Sequence, residues 1–261
     1  MHNNKNGNVC HQLEITKEPK ILFLDIETSP NLAWVWGYYR QDVIAIEKPS
    51  IVLSFAYKWR DGNKVHCCIL PDYSTEQELI AELWNLLDQA DIVVGHNLDR
   101  FDIKKCNARF AAHNLRPPSP YQTIDTLKYA RKYFAFPSNK LSELGSYLGV
   151  GTKLEHSGKQ LWLDCMNDDP KAWGIIKRYN VQDIILLEKI YEKLRPYATN
   201  HPNLSWFTRE RACPVCHSSE FIRSGFRYLK SGVKQRLTCK SCGHHFTPGS
   251  VIKHDSFSWW E

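Results

Sequence analysis

The 261 residues, 43% of them apolar and 12% aromatic, suffice for one large domain or for a medium domain with a small module beside it. The formal net charge of +6 gathers toward the C-terminal end, where Arg223, Arg227, Lys230, Lys234, Arg236 and Lys240 meet few acids, a balance suited to a polyanionic partner. No apolar run approaches the roughly 20 residues that cross a bilayer, and the polar start lacks the apolar centre of a secretory signal, so a membrane protein is excluded and a cytoplasmic location with reduced thiols is expected.

Residues 1–19, rich in Asn and Lys, read as a flexible leader. Ile21-Leu-Phe-Leu-Asp25-Ile-Glu27 is an apolar run followed by acids, the pattern of a buried strand emerging at a sheet edge. Residues 31–49 carry Trp34, Trp36, Tyr38 and Tyr39 and read as an extended excursion, its rings suited to core packing or to stacking on bases. Residues 51–59 and 64–70 are predicted strands around the turn signal Asp61-Gly62-Asn63. Ser74 or Thr75 caps a helix, with Glu78 completing a capping box if Thr75 is the cap, and Leu79, Leu83, Leu86 and Leu87 form its apolar face. Ile92-Val93-Val94 is a short buried strand ending at Gly95; a helix then runs from about Arg100 to Asn114 and is stopped by Pro117, Pro118 and Pro120. Thr123-Ile124-Asp125 opens another strand-to-helix passage, Leu141, Leu144 and Leu148 make a short helix, and a long helix covers residues 171–194. Strands first, then alternating strands and helices, predict an α/β or α+β unit with a mixed sheet. Gly149-Val-Gly151-Thr-Lys153 has the wrong order and spacing for a phosphate loop.

Several acids stand where acids are costly. Asp25 and Glu27, two apart on a strand, leave the same face about 6–7 Å from each other; alone they read first as an acidic strand end meeting solvent. Asp183 falls on the apolar stripe Tyr179, Leu187, Tyr191, Leu194 of the long helix, where a charge needs either a structural hydrogen bond or a metal. Asp102 starts a helix after a buried strand, a place for a ligand or for a plain acid favoured by the helix dipole. Asp99 competes with it; Asp102 is preferred because Phe101 is expected to point inward and Asp102 toward the cleft.

Taken together these segments resemble, in order, the three signature motifs of the DEDD exonuclease superfamily within the ribonuclease-H-like fold. Asp25-Ile-Glu27 matches the first, Asn97-Leu-Asp-Arg-Phe101-Asp102 the second, and Tyr179-Asn-Val-Gln-Asp183 the third motif of the tyrosine subgroup; the histidine subgroup is excluded by Arg178. The resemblance spans residues 21–195 and implies a ribonuclease-H-like mixed sheet flanked by helices, over residues 20–198. It also implies 3′→5′ exonuclease chemistry on DNA or RNA with two Mg2+ or Mn2+ ions. By that resemblance Asp25 bridges both ions, Glu27 and Asp183 support the water-activating one, Asp102 completes the second, and Tyr179 orients water; a tyrosine with an ordinary pKa of about 10 is a poor base. Hard oxygen donors select such ions, and two of them about 3.5–4 Å apart serve phosphodiester cleavage. Asp125 is read as a structural or supporting acid, while Asn97 and Phe101 are candidate contacts to the 3′ end of nucleic acid. A non-catalytic nucleic-acid-binding or scaffold protein and a structure-selective endonuclease using the same site are the alternatives. No polymerase or helicase region accompanies the motifs, so a proofreading role needs a separate polymerase, replication or repair partner.

Cys213-Pro-Val-Cys216 and Cys239-Lys-Ser-Cys242 are two matched knuckles separated by a basic stretch, the pattern of a four-thiolate structural Zn2+ site, with a redox pair as the alternative. The expected layout is a linker over 199–208, a zinc ribbon over 209–250 and a tail over 251–261. The pattern resembles zinc ribbons of transposase-like and other DNA-associated proteins. Arg223, Arg227, Lys234 and Arg236 alternate with Phe221, Phe226 and Tyr228, a mix suited to phosphates and bases. His217, His244 and His245 are spare ligands. Cys10, Cys67, Cys68, Cys106 and Cys165 are scattered and read as unpaired thiols.

Overall fold

The computed structural model describes residues 18–39, 42–152, 158–207 and 211–252; the expected leader and tail fall almost wholly outside them. The chain divides into two compact units, residues 20–201 and one that begins at Pro202. In the first, β1 (Ile21–Thr28) is followed by an antiparallel pair, β2 (Leu32–Trp34) and β3 (Ala45–Lys48). β4 (Val52–Trp59) returns antiparallel to β1, and β5 (His66–Ile69) antiparallel to β4. Next come α1 (Glu76–Gln89), β6 (Ile92–Gly95), α2 (Asp102–Ala112) and β7 (Gln122–Asp125), with β6 parallel to β1 and β7 parallel to β6. The sheet order β5-β4-β1-β6-β7 is the mixed sheet expected. α3 (Thr126–Tyr133), α4 (Leu141–Tyr147), α5 (Gln160–Met166) and α6 (Pro170–Leu194) complete the unit.

Alternation along β1 sorts its side chains into two layers. Leu22, Leu24 and Ile26 join Leu79, Leu83 and Leu87 of α1 and Cys106 and Phe110 of α2 in one core. Each fully buried leucine there contributes about 1.5–3 kcal/mol over an exposed one. Phe23 faces the other way, its ring meeting Tyr191 of α6 edge-on at 5.5 Å. The face that carries Asp25 and Glu27 is therefore the α6 face.

Local chemistry explains the helix boundaries. Thr75 Oγ1 accepts Glu78 N–H at 3.4 Å, while the Glu78 carboxylate accepts Ser74 N–H at 3.0 Å, so the box closes one residue earlier than predicted. Asp169 caps α6 by accepting Lys171 N–H at 2.9 Å, and Pro170 occupies the first helical position, where no donor is needed.

The structure adds three features that the sequence pattern left open. The excursion over 31–49 contains β2 and β3, and Trp34, Trp36, Tyr38 and Tyr39 are exposed rather than packed in a core. α5 was not foreseen; it is seven residues long and buries only Leu161 and Cys165. Within the segment expected as a linker, His201 bonds Tyr191 at 2.8 Å in the first unit, whereas residues Leu204–Phe207 form a 3-10 turn and Leu204 N–H donates to Pro214 O at 2.8 Å in the second.

That second unit is an antiparallel sheet of β8 (Phe221–Leu229), β9 (Gly232–Cys239) and β10 (His245–Phe246), in the order β10-β9-β8. Gly232 at φ 135° opens β9 where Val233 bridges to Ile252; a Cβ there would lie 2.3 Å from the Ile252 carbonyl oxygen.

Candidate active site

β1 and α6 bring three carboxylates together. Asp25, Glu27 and Asp183 each place an oxygen within 4.8 Å of the others. Asp183 is buried on the inner stripe of α6, as the helical spacing requires. Two unit charges at that separation repel by roughly 3 kcal/mol at an effective dielectric of 20. Such a trio needs compensating positive charge, and its all-oxygen donor set fits hard divalent cations such as Mg2+ or Mn2+.

Two residues overlooked in the sequence hold this trio. Asn180, fully buried on α6, donates from Nδ2 to Asp25 Oδ2 at 2.7 Å. Its own Oδ1 accepts the Ser54 hydroxyl at 3.0 Å, so both ends of the amide are fixed. Trp162 of α5 donates from Nε1 to Glu27 Oε2 at 3.2 Å, and its ring meets Tyr179 edge-on at 6.2 Å. Asn180 lies inside the third motif, next to Tyr179, so its position was the available signal. Trp162 had none, being 135 positions from Glu27.

Asp102 stands apart from the trio. β1 and β6 pair only from Ile21–Ile92 to Phe23–Val94; beyond that Ile26 N–H donates to Asp102 Oδ1 at 3.2 Å instead. Burial, with the Asp25 charge second, raises the Asp102 carboxyl well above the ordinary carboxylate range. The expected orientation of its neighbour is reversed: Phe101 is 38% exposed and Asp102 only 4%. Phe101 precedes the first turn of α2 and lies under Lys105, whose Nζ is 6.0 Å from the ring centre. Asp99 is taken up by Lys128 at 2.6 Å. Asp125 accepts Asn97 N–H and Leu127 N–H at 2.9 and 3.0 Å and caps α3, a structural task. Asn97 itself adopts φ 63°, a conformation asparagine tolerates better than most residues.

β1, β6 and β7 are parallel, so their C-terminal ends share one edge of the sheet. At the β6 and β7 ends a cleft of about 760 Å³ is lined by His96, Asn97, Arg100, Arg131, Asn139 and Lys140 among others, with no acid in its lining among the described residues. His96 fastens its wall, bonding Thr126 Oγ1 at 2.9 Å and Asn139 O at 3.0 Å.

The second unit gathers the four knuckle cysteines. Their sulfurs lie within 4.8 Å of one another, with Cys213–Cys242 at 3.7 Å and Cys216–Cys239 at 3.5 Å. These spacings are too long for a disulfide and match the roughly 3.8 Å edge of a tetrahedron with Zn–S bonds of about 2.3 Å. Hydrogen bonding within the cluster pulls the Cys216 thiol below its usual range while pushing Cys213 and Cys242 up, as sulfurs this close share protons that a bound metal would displace. Among the described residues no histidine joins the sulfur cluster. The scattered cysteines differ: burial pushes Cys67 up to about 12 and Cys165 up to about 11, as suits inert thiols; Cys10 lies outside the described residues. Of the four predicted cationic contacts, Arg236 is already engaged, donating from Nε and Nη2 to Ser224 O at 2.9 and 2.6 Å.

A model of the RNase_H superfamily matches residues 22–195, leaving the cysteine unit outside the match. Protein NEN3 of Arabidopsis thaliana is 25% identical over 178 residues, 67% of this chain and 30% of that protein. The family B DNA polymerase of the hyperthermophilic archaeon Pyrobaculum calidifontis superposes with a TM-score of 0.54 and 17% identity. The match covers 68% of this chain and 25% of the polymerase, a likeness of fold. The chain thus spans less than a third of the length of either relative.

Proposed function

We propose, from the premise that this chain belongs to the RNase_H superfamily, that it hydrolyses phosphodiester bonds of nucleic acid with divalent cations held by Asp25, Glu27 and Asp183 and completed by Asp102. The observation that carries this reading is the convergence of β1 and α6 acids within 4.8 Å. Bound there, two Mg2+ or Mn2+ ions supply water activation and stabilise the leaving oxygen. The chain's own residues set the geometry. Asn180 orients Asp25, and Trp162 orients Glu27. Tyr179, one turn before Asp183 and against Trp162, serves to position the attacking water. Arg100, Arg131 and Lys140 line a cleft on the same sheet edge that suits the phosphates of the strand. The cysteine unit holds a structural Zn2+ and assists binding.

For the direction of attack, Tyr179 with the four acids supports release from a 3′ end. A second reading, internal cleavage by the same acids, is favoured by the family match itself. Matched linear and covalently closed single-stranded substrates, DNA and RNA, separate the two in the presence of Mg2+ or Mn2+. Mononucleotides from the linear form with intact circles support the exonuclease; linearised circles support the endonuclease. Tight binding with no cleavage of either, unaltered by Asp183→Asn, makes the protein a non-catalytic binder.

A further inference from the structure

The hairpin of the cysteine unit does not distribute its side chains by simple alternation. Phe221 pairs with Cys239 and Arg223 with Leu237, but Phe226 pairs with Gln235 and Tyr228 with Val233. Val233, Gln235, Leu237 and Cys239 are two apart and share one face of β9. Their paired partners Phe221, Arg223, Phe226 and Tyr228 therefore share it too. Arg223 and Phe226, three apart, would point to opposite faces of a regular strand; one extra residue in β8, at the register shift between Arg223 and Phe226, brings them onto the same side. Gly225 supplies the φ of 90° there, and the Arg236 guanidinium holds the Ser224 carbonyl. Arg227 and Lys234, paired with each other, belong to the other face.

The aromatic face opens into a groove of about 960 Å³. Phe221, Leu237 and Phe246 line it, together with Arg211, Arg223 and Trp206, and among the described residues no acid does. Trp206 is 73% exposed and Tyr228, farther along the same face, 81%. Among the described residues neither Arg211 nor Arg223 forms an ion pair. Exposed rings beside uncompensated guanidinium groups match an occupant with flat apolar faces and a chain of negative charge. An unpaired strand presents both, whereas a duplex hides its base faces in its own stack.

We propose that this face of the cysteine unit is a binding site for an unpaired nucleic-acid strand, its bases stacking on Trp206, Phe226 and Tyr228 and its phosphates lying against Arg211 and Arg223. The inference rests on the reading of the chain as a nucleic-acid enzyme, and it adds strandedness and a face to that reading. Arg227 and Lys234 attract the strand only through general charge, and Arg236 shapes the site without touching the ligand.

The test uses the full chain with zinc retained and Asp183→Asn added to prevent cleavage. Anisotropy titrations employ a labelled oligo(dT) of thirty nucleotides and a duplex of the same length. Loss of one stacked base costs roughly tenfold or more in affinity. Trp206→Ala and Arg223→Ala are each expected to weaken the single strand by about that factor while leaving the duplex within about twofold, and Trp206→Phe, which keeps a ring, recovers most of the loss. Lys234→Ala is expected to lower both affinities equally and modestly. Parental affinity for oligo(dT) in Trp206→Ala and Arg223→Ala overturns the proposal, as does an equal loss for duplex; the former outcome leaves the groove to a protein partner. Turnover of a small phosphodiester by the parent chain, measured separately, decides the nuclease reading independently of these titrations.

Discussion

Replacing Asn180 by alanine removes the amide that holds Asp25. The lost contact is a 2.7 Å hydrogen bond to a carboxylate, a class worth about 1.5–3 kcal/mol, and the buried Ser54 hydroxyl loses the oxygen it donates to, at a further cost of about 1–3 kcal/mol. Destabilisation of about 2.5–6 kcal/mol is expected, a large share of a typical total of about 5–15 kcal/mol, so folding of the variant is measured beside its function. The functional effect is separable from it. Partners that orient metal-binding carboxylates typically account for about 10- to 100-fold in metal affinity or activity. Titration of Mn2+ against the protein, followed by the paramagnetic resonance signal of the free ion, should therefore show affinity reduced by at least tenfold. Urea unfolding on the same samples establishes that the domain is folded. Parental Mn2+ affinity in a folded Asn180→Ala protein refutes the reasoning that this amide prepares Asp25 for a cation.

Further consequences are equally concrete. Trp162→Phe keeps a ring against Tyr179 but removes the donor to Glu27, so turnover should fall about tenfold or more, with a stability loss of no more than about 1.5–3 kcal/mol; an unchanged kcat contradicts the role given to Trp162. Asp102 has a raised carboxyl, so the folded state binds its proton more tightly than the unfolded chain does, and this group's contribution to stability falls as pH rises from the ordinary carboxylate range through the raised value. Without added Mg2+ or Mn2+, Asp102→Asn should accordingly gain Tm relative to the parent at pH 8 but not at pH 3.5; equal differences at both contradict it. Zinc removal should abolish the dispersed amide resonances of residues 211–252 and leave those of the first unit in place, because the cysteine unit's core is little more than its own ligands and Val215. Gly145→Ala sets a methyl 2.6 Å from both the Gly151 carbonyl and a Leu186 methyl, so a loss of about 1–3 kcal/mol is expected in chemical unfolding.

Much of the first unit was readable because its signals are local or periodic. The apolar run before Asp25 and Glu27 marked a central strand, and alternation placed both acids on one face. Asp183 betrayed itself as a charge inside a helical apolar stripe. What escaped depends on contacts between distant segments. Trp162 sits on a helix too short for a pattern and reaches Glu27 only because α5 packs against α6. Asn180 was inside a recognised motif, but its task is visible only once Ser54 and Asp25 flank it. Phe101 is exposed where an inward ring was expected, while Asp102 is buried and accepts Ile26 N–H beyond the point where β6 leaves β1, a contact between distant segments. In the cysteine unit the knuckles were plain, whereas the sorting of Arg223 from Arg227 and Lys234 depends on a bulge that alternation alone does not reveal.

The central claim, hydrolysis of phosphodiester bonds at the β1–α6 acids, meets its most direct test in one comparison. End-labelled single-stranded DNA and RNA are incubated with the parent, Asp25→Asn and Asp183→Asn in Mg2+ or Mn2+, and products are resolved by length. The account predicts cleavage by the parent in the presence of the cation, and in both variants a loss at least as large as the roughly 10- to 100-fold caused by removing a partner that merely orients a metal ligand. Cleavage that survives both substitutions, or none by the parent with either ion, contradicts it.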